Sequence, residues 1–341
     1  MDRRRFLGHS GLAMSLATLP VTLVDLAFAR GAENFTFAYI SDAHIEHVEG
    51  SRFVRNWDQG LTRAVAEINL LRPKPDFVVF GGDLAHLGRI PELEHGAELL
   101  AKLGPKLHCV VGERDYYLDL GAHWSKLFGP KYYSFDHKGV HFVVLNSVLT
   151  YDDWTFDRRR TAEQRMREIA AFDSPNGSPF LVGVEQRKWL ARDLSRLAST
   201  TPIVVFSHSP LQKIHKGWNF WTEDAEDVHA LLLPFERVCV LYGHVHQIQH
   251  NRIGNLSFNS VMATAWTWPY PQSYYCQSGD LLLPKLTVPM SRAANFCERD
   301  AAGWQTIDIH SGRVSASYNL YNNTRRFVAF DRNEGHPRDI V

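Results

Sequence analysis

The chain has 341 residues, 45% of them apolar, which is enough to bury one large core, and its basic and acidic residues balance at 37 each. That balance gives no electrostatic case for a nucleic-acid partner, since phosphate-backbone recognition draws on clustered Lys and Arg, although a local basic patch stays compatible with it. No repeat or low-complexity tract is visible, so solenoids and long linkers are set aside.

The chain opens with Met1-Asp-Arg-Arg-Arg-Phe-Leu-Gly8, continues through a moderately apolar run from Leu12 to Leu26, and reaches Ala27-Phe-Ala29. A charged region, an apolar region and a small-x-small site predict a secretory leader over residues 1–29, cleaved near Ala29. Arg3-Arg4-Arg5-Phe6-Leu7 looks like the twin-arginine type, whose cargo crosses the membrane already folded. The expected partner during export is therefore the twin-arginine translocase, and the expected location is periplasmic or secreted. The competing reading is an uncleaved interfacial anchor, because Gly8, Gly11, Thr18, Thr22 and Asp25 leave the apolar run too short to span a bilayer. No later stretch reads as a transmembrane helix, which leaves residues 30–341 as the expected domain.

Phe35 to Ile40 reads as a strand running into Ser41-Asp42-Ala43-His44. Asp and His two residues apart can reach one cation if the chain turns there; Asp42 alone reads equally as a cap or an Asx-turn. Arg52 to Leu71 carries apolar residues at helical spacing and stops before Pro73. Asp76 to Phe80 is a buried strand bent by Gly81-Gly82 so that the Asp83 carboxylate emerges. Pro91 to Leu103 gives a second helix, and Leu107 to Val111 a third strand, ending in Gly112-Glu113-Arg114-Asp115.

Lys131 to Asp136 and Val140 to Ser147 form a predicted hairpin through His137-Lys138-Gly139. Residues 149–183 are a polar insert whose Asp157-Arg-Arg-Arg160 suits a solvated lid or, alternatively, a phosphate-recruiting patch. Val184 to Leu194 is helical, and Pro202 to Phe206 is a strand with His208 beyond its end. His215, Trp218, Trp221 and Glu223 follow in a loop that either lines a cleft or packs on the sheet edge.

A helix over Asp224 to Leu233 leads to the strand Arg237 to Tyr242, after which Gly243 turns the chain into His244-Val-His246. Leu256 to Ser260, Trp304 to His310 and Val314 to Tyr321 read as antiparallel strands closing a second sheet. Residues 262–300, including Trp266-Thr-Trp-Pro-Tyr-Pro271, form a long irregular segment placed to act as a substrate wall. Cys109 and Cys239 are expected as buried thiols, and Cys276 and Cys297 as a candidate disulfide.

Five apolar strands thus end in carboxylate or imidazole, and strand ends of an α/β sheet converge on one crevice. The succession Asp-x-His, Gly-Asp, Gly-x-x-Asp, His and Gly-His-x-His over residues 37–250 resembles the calcineurin-like metallophosphoesterase superfamily. The resemblance implies a four-layer α/β-β/α sandwich of two mixed sheets flanked by helices, with a dinuclear metal site at the strand carboxyl ends. It implies one metal held by Asp42, His44, Asp83 and His246, and another by Asp83, Glu113, His208 and His244, with Asp83 bridging. Their mixed nitrogen and oxygen donors suit divalent or trivalent Mn, Fe, Zn or Co. A bridging hydroxide would then hydrolyse a small phosphorylated substrate, monoester or diester, without a covalent intermediate.

One block departs from the family pattern, which has Asn where Glu113 stands and His where Arg114 stands. Glu113 can still ligate through oxygen, whereas Arg114 stays charged and cannot donate a proton, though it can grip a phosphoryl oxygen. The added negative and positive charges nearly cancel. For Glu113 and Arg114 to share a site, the chain must turn at Gly112. His86, His215 and Tyr116 are then the candidate proton donors, and Trp266 a candidate substrate contact. The rival reading is a metal-loaded binding protein that has lost turnover.

Overall fold

In a computed structural model, the structure describes residues 21–25, 33–46, 57–149, 164, 180–215, 219–267, 302–310, 313–321, 327–331 and 336–340. Two six-stranded mixed sheets form the frame of the fold. The first sheet contains β1 (Val21–Asp25), β2 (Phe35–Ile40), β3 (Phe77–Phe80), β4 (Lys106–Cys109), β13 (Gly303–His310) and β14 (Arg313–Leu320), in the order β1-β14-β13-β2-β3-β4. The second contains β5 (Tyr133–His137), β6 (Val140–Val144), β7 (Ile203–Ser207), β10 (Val238–Tyr242), β11 (His250–Ile253) and β12 (Leu256–Ser260), in the order β11-β12-β10-β7-β6-β5. Two small hairpins stand apart: β8 (Lys213–His215) with β9 (Phe220–Trp221), and β15 (Phe327–Asp331) with β16 (His336–Ile340).

The period-two pattern of the strands explains the layering. Along β2, Phe37 and Tyr39 face the other sheet while Ala38 and Ile40 face helices, and β3, β7 and β10 divide in the same way. Between the sheets lies an aromatic core in which Phe37 stacks on Phe77 at 4.8 Å and Phe142 on Phe206 at 5.7 Å between ring centroids. Helices α1 (Trp57–Leu70), α2 (Ile90–Leu100) and α4 (Ala122–Phe128) cover the outer face of the first sheet through Leu61, Ile68, Leu93 and Trp124. Helices α5 (Val184–Leu194) and α6 (Ala225–Leu232) cover the second through Leu190, Val228 and Leu232. The result is the expected α/β-β/α sandwich.

Two expectations need correction. The strands β13 and β14 do not close the second sheet: β13 pairs antiparallel with β2, from Gln305 opposite Tyr39 to Ile309 opposite Phe35, and so extends the first. Within the second sheet, β12 runs parallel to β10, not antiparallel. Alternation marks a strand with one buried face but does not name its neighbour.

The leader lies outside the described residues except for Val21–Asp25, which forms β1 at the sheet margin. Most of the 149–183 insert and of the 262–300 segment, Trp218, Cys276 and Cys297 also lie outside them. Cys109 and Cys239 are free, buried thiols. Among the described residues, no helix is long and apolar enough to cross a membrane.

Candidate metal centre

Strands β2, β3 and β4 run parallel in one sheet, and β7 and β10 in the other, so all five carboxyl ends open on one edge. Beyond those ends the loops stay paired. The amide of Asp42 donates to the Gly82 carbonyl at 3.0 Å and that of His44 to the Asp83 carbonyl at 2.9 Å. Thr264 and Ala265 donate to the carbonyls of Ser41 and Asp42, tying the end of β12 to the end of β2 across the two sheets.

Close approach requires glycine at two points. At Gly82, with φ +102°, an added Cβ would lie 2.4 Å from Nδ1 of His208; at Gly243 it would lie 2.7 Å from Oδ2 of Asp42. Asp42, His44, Asp83, His244 and His246 themselves adopt φ between 47° and 65°. Side chains with a Cβ occupy that left-handed region at a cost, and such strain gathers at functional sites.

The seven residues expected as ligands form two adjoining clusters, Asp42, His44 and His246 in one, and Asp83, Glu113, His208 and His244 in the other. All are buried. Nε2 of His44 lies 3.0 Å from Nε2 of His246, and Oδ1 of Asp42 lies 3.2 Å from the latter. In the second cluster, Glu113 places Oε1 3.1 Å from Nδ1 of His244 and Oε2 2.9 Å from Nε2 of His208. Asp83 stands between the clusters, with Oδ2 3.7 Å from Nε2 of His44 and Oδ1 3.5 Å from Nε2 of His208. Glu113 Oε2 and His208 Nε2, though close, do not meet in hydrogen-bonding geometry. Buried donor atoms that approach without bonding one another suit a shared third centre, and the mixed carboxylate and imidazole set fits two cations.

Three of the four imidazoles are oriented by main-chain carbonyls. His208 Nδ1 donates to Gly81 at 2.7 Å, His246 Nδ1 to Trp266 at 2.7 Å, and His244 Nε2 to Asn219 at 3.2 Å. Each bond fixes which nitrogen is left to face the cluster.

The electrostatics follow from burial among like and unlike charges. Burial, and then the Glu113 charge, push the Asp83 carboxyl up to about 6. Burial also opposes charge on His208, yet the Asp83 and Glu113 carboxylates outweigh it and hold His208 well above its ordinary value. Glu113 is in turn held well below the usual carboxylate range, against its burial, by His244 and His208.

The turn at Gly112 takes the form of a four-residue helix, α3 (Glu113–Tyr116), which begins there and directs both Glu113 and Arg114 into the site. Arg114 is buried; its Nε lies 3.6 Å from Oδ2 of Asp83, its Nη1 donates to the His86 carbonyl at 3.1 Å, and its amide donates to Oδ1 of Asp83 at 3.0 Å. His86 lies at the first cluster, with Nδ1 3.5 Å from Nδ1 of His44. The Trp266 ring lies over the same cluster, 4.3 Å from His44 and 5.0 Å from His246 between centroids. His215 lies on β8 with its value lowered by burial, and Tyr116 packs into the apolar core beneath the first sheet.

Three contributors escaped the sequence reading. Ser41 donates its hydroxyl to Asp42, and Asp115 accepts from the amides of Ala85 and Gly112 at 2.9 and 3.1 Å, clamping the loops that carry Asp83 and Glu113. Asn219 acts through its main chain, which has no sequence signature; Asp115 was visible in its block and needed only the question of which amides it serves.

The chain is 23% identical over 290 residues to a protein of Arcobacter nitrofigilis named "Probable glycerophosphodiester phosphodiesterase GpdQ", covering 83% of this chain and 96% of the relative. It is 32% identical over 112 residues to the serine/threonine-protein phosphatase CPPED1 of Bos taurus, a match spanning 28% of this chain and 35% of that one. Its fold resembles a dimetal phosphatase structure from Danio rerio, with a TM-score of 0.52 and 17% identity over 84% of this chain and 99% of the other. The model of the calcineurin-like phosphoesterase family matches residues 35–248, the span that holds both clusters, and the chain is accordingly a member of that family of metallophosphoesterases.

Proposed function

We propose that the protein hydrolyses a small phosphodiester at a two-metal centre by direct attack of water. The single observation that carries this reading is the pair of adjoining buried ligand clusters, with Asp83 of the second reaching towards His44 of the first. Asp42, His44, Asp83 and His246 would hold one cation, and Asp83, Glu113, His208 and His244 the other. Bound there, two cations supply an activated water and Lewis-acid charge for an in-line displacement at phosphorus. The chain's own residues do the positioning. Gly81, Trp266 and Asn219 fix the imidazoles, and Asp115 fixes the loops.

Arg114 brings a permanent charge to Asp83 and grips a phosphoryl oxygen. Ser41, fully buried, spends its hydroxyl on Asp42, which supports attack by water without a covalent phosphoenzyme. The near full-length likeness to a protein named as a diesterase supports a diester over a monoester. His86, beside His44 at the first cluster, is better placed than His215 or Tyr116 to meet a leaving group.

The test compares bis(p-nitrophenyl) phosphate with p-nitrophenyl phosphate on protein loaded with Mn, Fe, Zn or Co. Diester turnover that vanishes on chelation and in Asp83→Asn is expected; loaded protein that turns over neither ester sinks the reading.

We also propose export through the twin-arginine pathway, supported by Arg3-Arg4-Arg5-Phe6-Leu7 and the apolar run after it. Replacing Arg4 and Arg5 by Lys should hold the protein in the cytoplasm. Unchanged periplasmic recovery would refute this.

A further inference from the structure

The short β8–β9 hairpin brings Asn219 to the second cluster. Its carbonyl lies 3.2 Å from Nε2 of His244, whose Nδ1 faces Glu113. The rings of Phe180 and Phe220 stand edge-on to the same imidazole, at 5.4 and 5.5 Å between centroids. Asn219 is only 2% exposed, and its φ of +56° is a backbone conformation that asparagine tolerates better than most side chains. Its Nδ2 finds no hydrogen-bond acceptor among the described residues. A buried amide donor left unmatched forfeits its hydration with nothing in return, so it calls for a partner. On a residue whose main chain abuts His244 of the second ligand cluster, the partner that suits such a donor is an anionic oxygen.

We propose that Asn219 is a substrate-binding residue, its Nδ2 donating to a nonbridging oxygen of the phosphoryl group held at the second cluster; this rests on the phosphoester reading above. Asn219→Gly separates the two contributions of the residue. Glycine keeps the left-handed backbone, and with it the carbonyl on His244, while deleting the amide. Metal content measured by mass spectrometry should equal the parent's, and melting temperature reports that the variant is folded. Affinity of the loaded protein for inorganic phosphate, measured by calorimetry, should weaken roughly tenfold or more, and kcat/KM for bis(p-nitrophenyl) phosphate should fall in proportion. Asn219→Asp, which sets an acceptor against the phosphoryl oxygen, should weaken phosphate further.

Phosphate affinity of the glycine variant within about twofold of the parent, with metals retained, would overturn the proposal. So would metal loss in that variant, which would leave Asn219 a support for His244 alone, or phosphate failing to bind the loaded parent. Absence of turnover by the parent would instead sink the phosphoester reading, while the phosphate affinities still decide the role of Asn219.

Discussion

Among the site residues, Arg114 is the one whose chemistry departs furthest from the family pattern. Its guanidinium is buried against Asp83 and the His86 carbonyl, so it offers a fixed positive charge and no transferable proton. Arg114→Ala should raise KM for the diester by roughly tenfold to a hundredfold, because a charge-assisted contact to the phosphoryl group is lost. Arg114→His should instead add a titrating limb to the pH profile and favour poor leaving groups. Steady-state kinetics across pH check both, and a variant indistinguishable from the parent in rate and affinity would remove Arg114 from the chemistry. Protons should also leave when metal enters. Asp83, raised to about 6, and His208, held well above its ordinary value, both tend to keep protons in the metal-free protein. Raised values mean that these protons are bound below the folded value and must be displaced by a cation, so affinity should fall as pH drops from 8 towards 5. Calorimetry in two buffers of different ionisation enthalpy would count the protons; none released at pH 7 contradicts the assignment of His208. The seven residues that gather into the two candidate clusters were legible in the sequence, because each follows an apolar run at a strand end. The left-handed backbone of five of them and the carbonyls of Gly81, Trp266 and Asn219 were not, since residue type did not announce that main-chain geometry.

Helix α2 shows how an element supports the site from behind. Gly96 faces Leu84, the residue after Asp83, and an added Cβ would lie 2.5 to 2.8 Å from three carbons of that fully buried side chain. Gly96→Ala should therefore cost about 1–3 kcal/mol by overpacking. It should also loosen metal binding, because displacing Leu84 pushes on the adjoining Asp83 loop. Denaturant unfolding with and without metal measures both effects; a variant that loses stability but binds metal as tightly as the parent would show that the loop is insulated from the helix. Helices such as α5 and strands such as β12 lay within the predicted spans because their periodicity is long and clean. The destination of β13 and β14 was not legible, since the same alternation serves an edge on either sheet. The four-residue α3 was foreseen only as a turn, being too short to show a helical period.

At the scale of the whole molecule, the site is where the two sheets depend on one another. Three buried carboxylates, Asp42, Asp83 and Glu113, converge from both clusters, and without bound cations their charge is left to the imidazoles and the Arg114 guanidinium. Each site filled at a hundredfold excess over its dissociation constant should add about 2.7 kcal/mol, so chelation should lower the melting temperature and readdition of Mn or Zn should restore it. An unchanged melting temperature would mean that the clusters hold nothing. The positive φ angles of Asp42, His44, Asp83, His244 and His246 carry a further consequence. Glycine at any of these positions would relax the chain and, at the acidic ones, remove a desolvated charge, so a crippled variant can outlast its parent on heating. Endurance alone would favour glycine at these five positions; side chains held in a posture that costs any residue with a Cβ mark a chain built for what it does rather than for how long it lasts.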